Sequence, residues 1–80
     1  MKITIESTSK IVMLKPDALA DGIPARVWEG ETESGIKVHC FITRIACDKN
    51  EPRVEEFEQE FIQQREPSPA VEAYSNRLIL

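Results

Sequence analysis

His39 and Cys40 place an imidazole beside a thiol, with Cys47 following seven positions later. Such a set could ligate a metal or form a nucleophile and its base, but either use requires the groups to converge on one point. In an extended segment consecutive side chains point to opposite faces, so His39 and Cys40 diverge. Cys47 adds one thiol without the paired spacing of a zinc site. If it shared the strand it would lie about 23 Å from Cys40 at ~3.3 Å per residue, far beyond disulfide reach. Both cysteines read as reduced thiols, and neither a metal nor a cofactor is implied.

Glu55, Glu56, Glu58 and Glu60 offer the carboxylates that acid–base catalysis would use. Helical spacing puts them away from an apolar stripe, where water keeps them ionised. They form a candidate acidic surface: a solvated helix face, or a patch that meets a basic protein groove by imitating nucleic-acid phosphates. Gly22, Gly30 and Gly35 are widely separated and none opens a helix, so no phosphate loop is present. One histidine on a strand supplies no Ser, His and Asp constellation. The chain is not expected to be an enzyme, and no catalytic residue is assigned.

Aromatic and basic residues carry the remaining chemistry. Arg26, Trp28, His39, Phe41 and Thr43 are expected to share one sheet face and form a candidate interaction surface, since Trp and Arg are the types that most often anchor protein interfaces. That face is covered by the N-terminal strands, by the tail or by a second copy, or else it binds a foreign partner.

These residues sit on a β-hairpin expected over Ile23–Cys47, with strands near Ile23–Glu31 and Ile36–Ala46 and a bend at Thr32, Glu33, Ser34 and Gly35. A two-residue loop would set Trp28 opposite Phe41; a four-residue loop would set it opposite His39. Both put Val27 on the other face, with Val38, Cys40 and Ile42. Upstream, Ile3 to Ile5 and Ile11 to Leu14 read as two short strands separated by a turn at Ser7–Ser9, and 17–22 as a connecting loop. Pro24 belongs at a sheet edge.

Downstream, Asn50 or Glu51 can cap a helix from Pro52 to Arg65. Its stripe of Val54, Phe57, Phe61 and Ile62 would cover the Val27 face, and Phe61→Ala would then cost roughly 3 to 5 kcal/mol. Ser68 and Pro69 can start one more turn reaching Tyr74, within a proline-bounded tail from about residue 67. Leu78, Ile79 and Leu80 suggest a final segment that docks as an edge strand or into a partner. The expected fold is α+β: an antiparallel sheet of three or four strands on a central hairpin, with one amphipathic helix on one face.

Eighty residues make a single domain that buries only ~60% of its unfolded surface. At 41% hydrophobic and 30% charged, it has the composition of a globular protein. No apolar run reaches the ~20 residues that span a bilayer and the N-terminus lacks a signal-peptide core, so a cytoplasmic location without membrane contact is expected. A net charge of −4 and a pI near 4.9 argue against direct nucleic-acid binding.

The runs Ile5 to Leu14, Ile23 to Gly30, Thr32 to Gly35 and Phe41 to Ala46, with a helix bearing Phe57, a proline-rich segment and the ending Arg77 to Leu80, resemble a family of small uncharacterised bacteriophage and prophage proteins. The resemblance implies a non-enzymatic protein-binding module acting on a host protein, such as an anti-CRISPR-like inhibitor of a host defence system within the bacterial cytoplasm. Two other classes fit the same surface. One is a homodimer, joined through the sheet face, that encloses a nucleotide-like ligand against Arg26 and His39; the other is a virion assembly accessory. A homodimer could also form through the C-terminal tail.

Overall fold

The turn at Gly35 sets the register of the hairpin. A computed structural model of the chain describes residues 1–15 and 22–74; the expected 17–22 loop and the Leu78 to Leu80 docking segment lie outside those residues, apart from Gly22. Three strands, β1 (Ile3–Leu14), β2 (Ile23–Thr32) and β3 (Lys37–Ile42), form an antiparallel sheet in the order β1-β2-β3, followed by helices α1 (Val54–Phe61) and α2 (Pro69–Glu72). The α+β class and the hairpin are as expected.

The hairpin loop has neither two residues nor four. Thr32 N–H donates to the Ile36 carbonyl at 3.0 Å, and Gly35 N–H donates to the Thr32 carbonyl at 2.9 Å. Three residues, Glu33, Ser34 and Gly35, therefore make the turn, and Gly35 closes it at a φ of 90° that side chains resist. Trp28 consequently pairs with Cys40, and Val27 with Phe41.

That one-residue difference reverses which β3 residues share each β2 face. Ala25, Val27 and Glu29 align with Phe41 and His39, while Arg26, Trp28 and Gly30 align with Ile42, Cys40 and Val38. The Val27 side is the core: Val12, Ala25, Val27 and Val71 are buried, with Leu14, Phe41 and Tyr74 packed against them. The expected grouping of Trp28 with His39 and Phe41 is thus corrected.

In β1 the expected turn at Ser7–Ser9 is a bulge inside one continuous strand. Its register shifts between Ser7, opposite Trp28, and Ile11, opposite Arg26. The polar residues satisfy the interrupted ladder. Buried Thr8 donates its hydroxyl to the Val27 carbonyl at 2.7 Å, and the Thr8 carbonyl accepts from Arg26 Nη1 at 2.8 Å. Pro24 pairs with Met13, but β3 has already ended opposite Arg26, so the proline lies where β2 has a free edge, as expected.

Helix α1 is shorter than its expected Pro52–Arg65 span. Arg53, not Asn50 or Glu51, is the N-cap residue, and it makes no side-chain cap bond. Glu51 instead accepts from Arg53 N–H at 3.1 Å and pairs with Arg53 Nε at 2.7 Å, which holds its pKa below 4.5. The helix ends early because Arg65 is drawn onto the β1 edge: its N–H donates to the Ser7 carbonyl and its carbonyl accepts from Ser9 N–H.

The α1 stripe does not cover Val27. Phe61 reaches toward Trp28 on the other face and stays 49% exposed, so Phe61→Ala should cost only about 1 to 2 kcal/mol. Helix α2 covers the core instead. Ser68 caps it as expected, accepting from Val71 N–H at 3.4 Å, with Pro69 in its first turn and Val71 fully buried.

Gly30 fixes how closely β1 can lie against β2. A Cβ there would fall 1.7 Å from the Thr4 carbonyl oxygen and 2.7 Å from Ile5 Cα, both backbone atoms that cannot move alone. Gly30→Ala should destabilise by roughly 1 to 3 kcal/mol or more. Urea unfolding checks it, and an unchanged midpoint would disprove the close approach.

Candidate functional site

Three residue sets meet along the face opposite the core. The bulge in β1 presents Ile11 beside Arg26, the even positions of β2 present Arg26 and Trp28, and the chain leaving β3 carries Thr43, Arg44 and Ile45 across them. Phe61, at the end of α1, closes the fourth side. The result is a groove of about 240 Å³ with an apolar floor.

Two features set its chemistry. Its lining holds two arginines and no carboxylate, although the chain as a whole carries −4. Arg26 is held by its bond to Thr8, whereas Arg44 is exposed and makes no ion pair with any described residue. The volume falls below the ~300–1,000 Å³ of ordinary small-ligand pockets and suits one or two inserted side chains. Ile11 and Phe61 remain 47% and 49% exposed, so apolar surface is available to an occupant.

Of the residues expected to share one surface, Arg26, Trp28 and Thr43 do meet in this groove. His39 and Phe41 do not. They lie on the core side beneath Tyr74, which meets both rings edge-on at centroid distances of 5.3 and 5.4 Å. His39 Nδ1 also shares a 2.6 Å hydrogen bond with the Tyr74 hydroxyl. A ligand cradle built from Arg26 and His39 is therefore not formed within one chain. Glu55, Glu56, Glu58 and Glu60 are all exposed on α1, as expected of a solvated acidic face.

Sequence reasoning missed the polar lock on the core side. Glu6 and Glu29 stand directly opposite each other in β1 and β2, an arrangement in which like charges repel. Arg65 bridges them, with Nε 3.1 Å from Glu6 and Nη1 3.1 Å from Glu29. Buried Glu29 also accepts from the Ser68 N–H at 2.9 Å and from the Ser68 hydroxyl. The detectable signal was an acid at an inward position of the Ala25, Val27, Glu29 alternation, but assigning it required the correct face.

Ser68, Glu29 and His39 line one recess with Arg65 and Lys37, which invites comparison with a hydrolytic triad. The hydrogen bonds follow a different logic. Ser68 gives its proton to Glu29 while capping α2, and His39 is engaged by Tyr74, so the nucleophile-to-base contact is not made. Among the described residues no cluster of three metal-ligating side chains occurs, and no helix is long and apolar enough to cross a membrane.

No protein-family model matches the chain, and neither a curated protein nor a solved structure is measurably similar to it.

Glu29 gives the lock a pH dependence. Burial alone would raise its pKa, but the Ser68 hydroxyl and amide, then the charges of Arg65 and His39, outweigh burial and hold it below 4.5. A lowered folded-state value means the stabilisation is fully present above pH 4.5 and is lost as pH falls through the lowered value. Glu29→Gln should therefore cost roughly 1 to 3 kcal/mol at neutral pH and flatten the acid limb of the stability profile. Thermal melts of both proteins from neutral pH into the acid range check it; parallel profiles would rule the lock out.

Proposed function

We propose that this chain is a non-enzymatic protein-binding module that works through the Trp28 groove. The observation that carries the reading is the groove's composition: Trp28, Ile11, Ile42 and Phe61 around an open floor, with Arg26 and Arg44 at its rim and no acid among its lining residues. Half-buried Trp flanked by Arg is the pattern of an interface anchor. A positive rim on an acidic chain gives the site a polarity of its own, favouring a partner segment that pairs a large apolar side chain with carboxylates.

The narrower reading names the partner's origin. We place it in a bacterial host, with the module acting as a phage-encoded inhibitor of a defence system; the support is the resemblance to small phage and prophage proteins.

Affinity capture from host lysate, using wild type, Trp28→Ala and Arg44→Glu, tests the module reading. A host protein held in fixed stoichiometry by wild type should be lost by roughly tenfold or more in both variants, with unchanged circular dichroism. Capture that is indifferent to both substitutions would overturn it.

A further inference from the structure

We infer that in the free protein the Trp28 groove is occupied by helix α1 of a second copy of this chain, giving a two-fold dimer. The inference rests on the reading of the groove as a protein-docking surface and names its resident occupant. Helix α1 has the chemistry the groove calls for. None of its residues is buried; Val54 and Phe61 are 43% and 49% exposed, and Ile62 just beyond is 67% exposed, while Glu55, Glu56, Glu58 and Glu60 are exposed along the same helix. A helix whose apolar stripe is uncovered in its own chain lacks the packing that normally stabilises so short an element.

Charge points the same way. The groove rim carries Arg26 and Arg44 without acids, and α1 carries four glutamates without a basic residue in its last turn. Bringing one copy's groove onto the other's helix pairs these fields twice. Geometry favours closure. Phe61 belongs to α1 and also lines the groove, so the two complementary surfaces adjoin on one side of the molecule. A two-fold rotation satisfies both patches at once, each copy giving its helix and receiving its partner's, and closes the assembly at two copies.

Core size adds a reason. Only four apolar residues are buried among the described residues, against eight large hydrophobics left exposed, and four of the eight, Ile11, Val54, Phe61 and Ile62, lie on these two surfaces.

Sedimentation velocity over about 10 to 500 µM, at low and high salt, tests the proposal. Wild type should sediment as a dimer whose dissociation constant rises roughly tenfold or more in Arg44→Glu, in Ile62→Glu and at high salt. Ile62 and Arg44 are both exposed, so neither change should disturb the fold, which circular dichroism of the variants checks. A monomer throughout the range, or a dimer unmoved by either substitution, would overturn the inference. A monomer that still captures a host protein through Trp28 would leave the docking reading standing. A dimer broken by both variants, with capture indifferent to Trp28→Ala, would instead refute docking and retain self-association.

Discussion

The three-residue turn at Glu33, Ser34 and Gly35 is the constraint on which the rest of the structure depends. Side chains in a strand alternate with a period of two, so the parity of a hairpin loop decides which residues of the second strand join which face of the first. Gly35, at φ 90°, accommodates the left-handed step that follows the turn and makes the odd loop length accessible. From that choice follow Phe41 opposite Val27 and Cys40 opposite Trp28. The core and the groove are two consequences of one backbone conformation.

The second determinant is electrostatic. A sheet face that includes Glu6 opposite Glu29 would push its strands apart unless a cation intervened. Arg65 supplies it, and in reaching both carboxylates it brings the backbone onto the open β1 edge beside Thr8. This crossing takes the chain from the Trp28 face, where α1 lies, to the core face, where Val71 and Tyr74 pack. Ser68 completes the shell around Glu29, so a buried carboxylate that would be costly alone becomes the anchor of the C-terminal segment. The short α2 helix holds its place through that anchor as well as through Val71.

Local signals in the sequence were legible wherever chemistry acts over a few residues. The Ser68 cap with Pro69, the bend at Gly35 and the edge position of Pro24 could all be read directly. The hairpin and the α+β class followed from apolar runs separated by turn residues. What could not be read was parity. A two-residue and a four-residue loop are both even and share one parity, which is not that of the odd length the chain adopts, so the residues of β3 exchange faces relative to β2. Ser7 to Ser9 read as a turn because three small polar residues in series mimic one, whereas their hydroxyl and carbonyl groups satisfy a bulge. The candidate site was half legible for the same reason: Arg26, Trp28 and Thr43 hold together, while His39 and Phe41 went to the core.

A small sheet has two faces and one short chain with which to cover them. Here the C-terminal segment covers the Val27 face, led there by Arg65 and pinned by Glu29, and only the end of α1 reaches the other. The uneven coverage is not a failure of patterning. Arg26 on the open face spends part of its hydrogen-bonding capacity on the Thr8 carbonyl, so the strand bulge that helps shape the core also orients a cation in the groove. Lengthening α1 to shield Trp28 would require Arg65 to remain helical, and that would leave Glu6 facing Glu29 without a counter-charge. The lock that closes the core is therefore what keeps the groove open, and the half-buried tryptophan is a structural consequence of the buried glutamate.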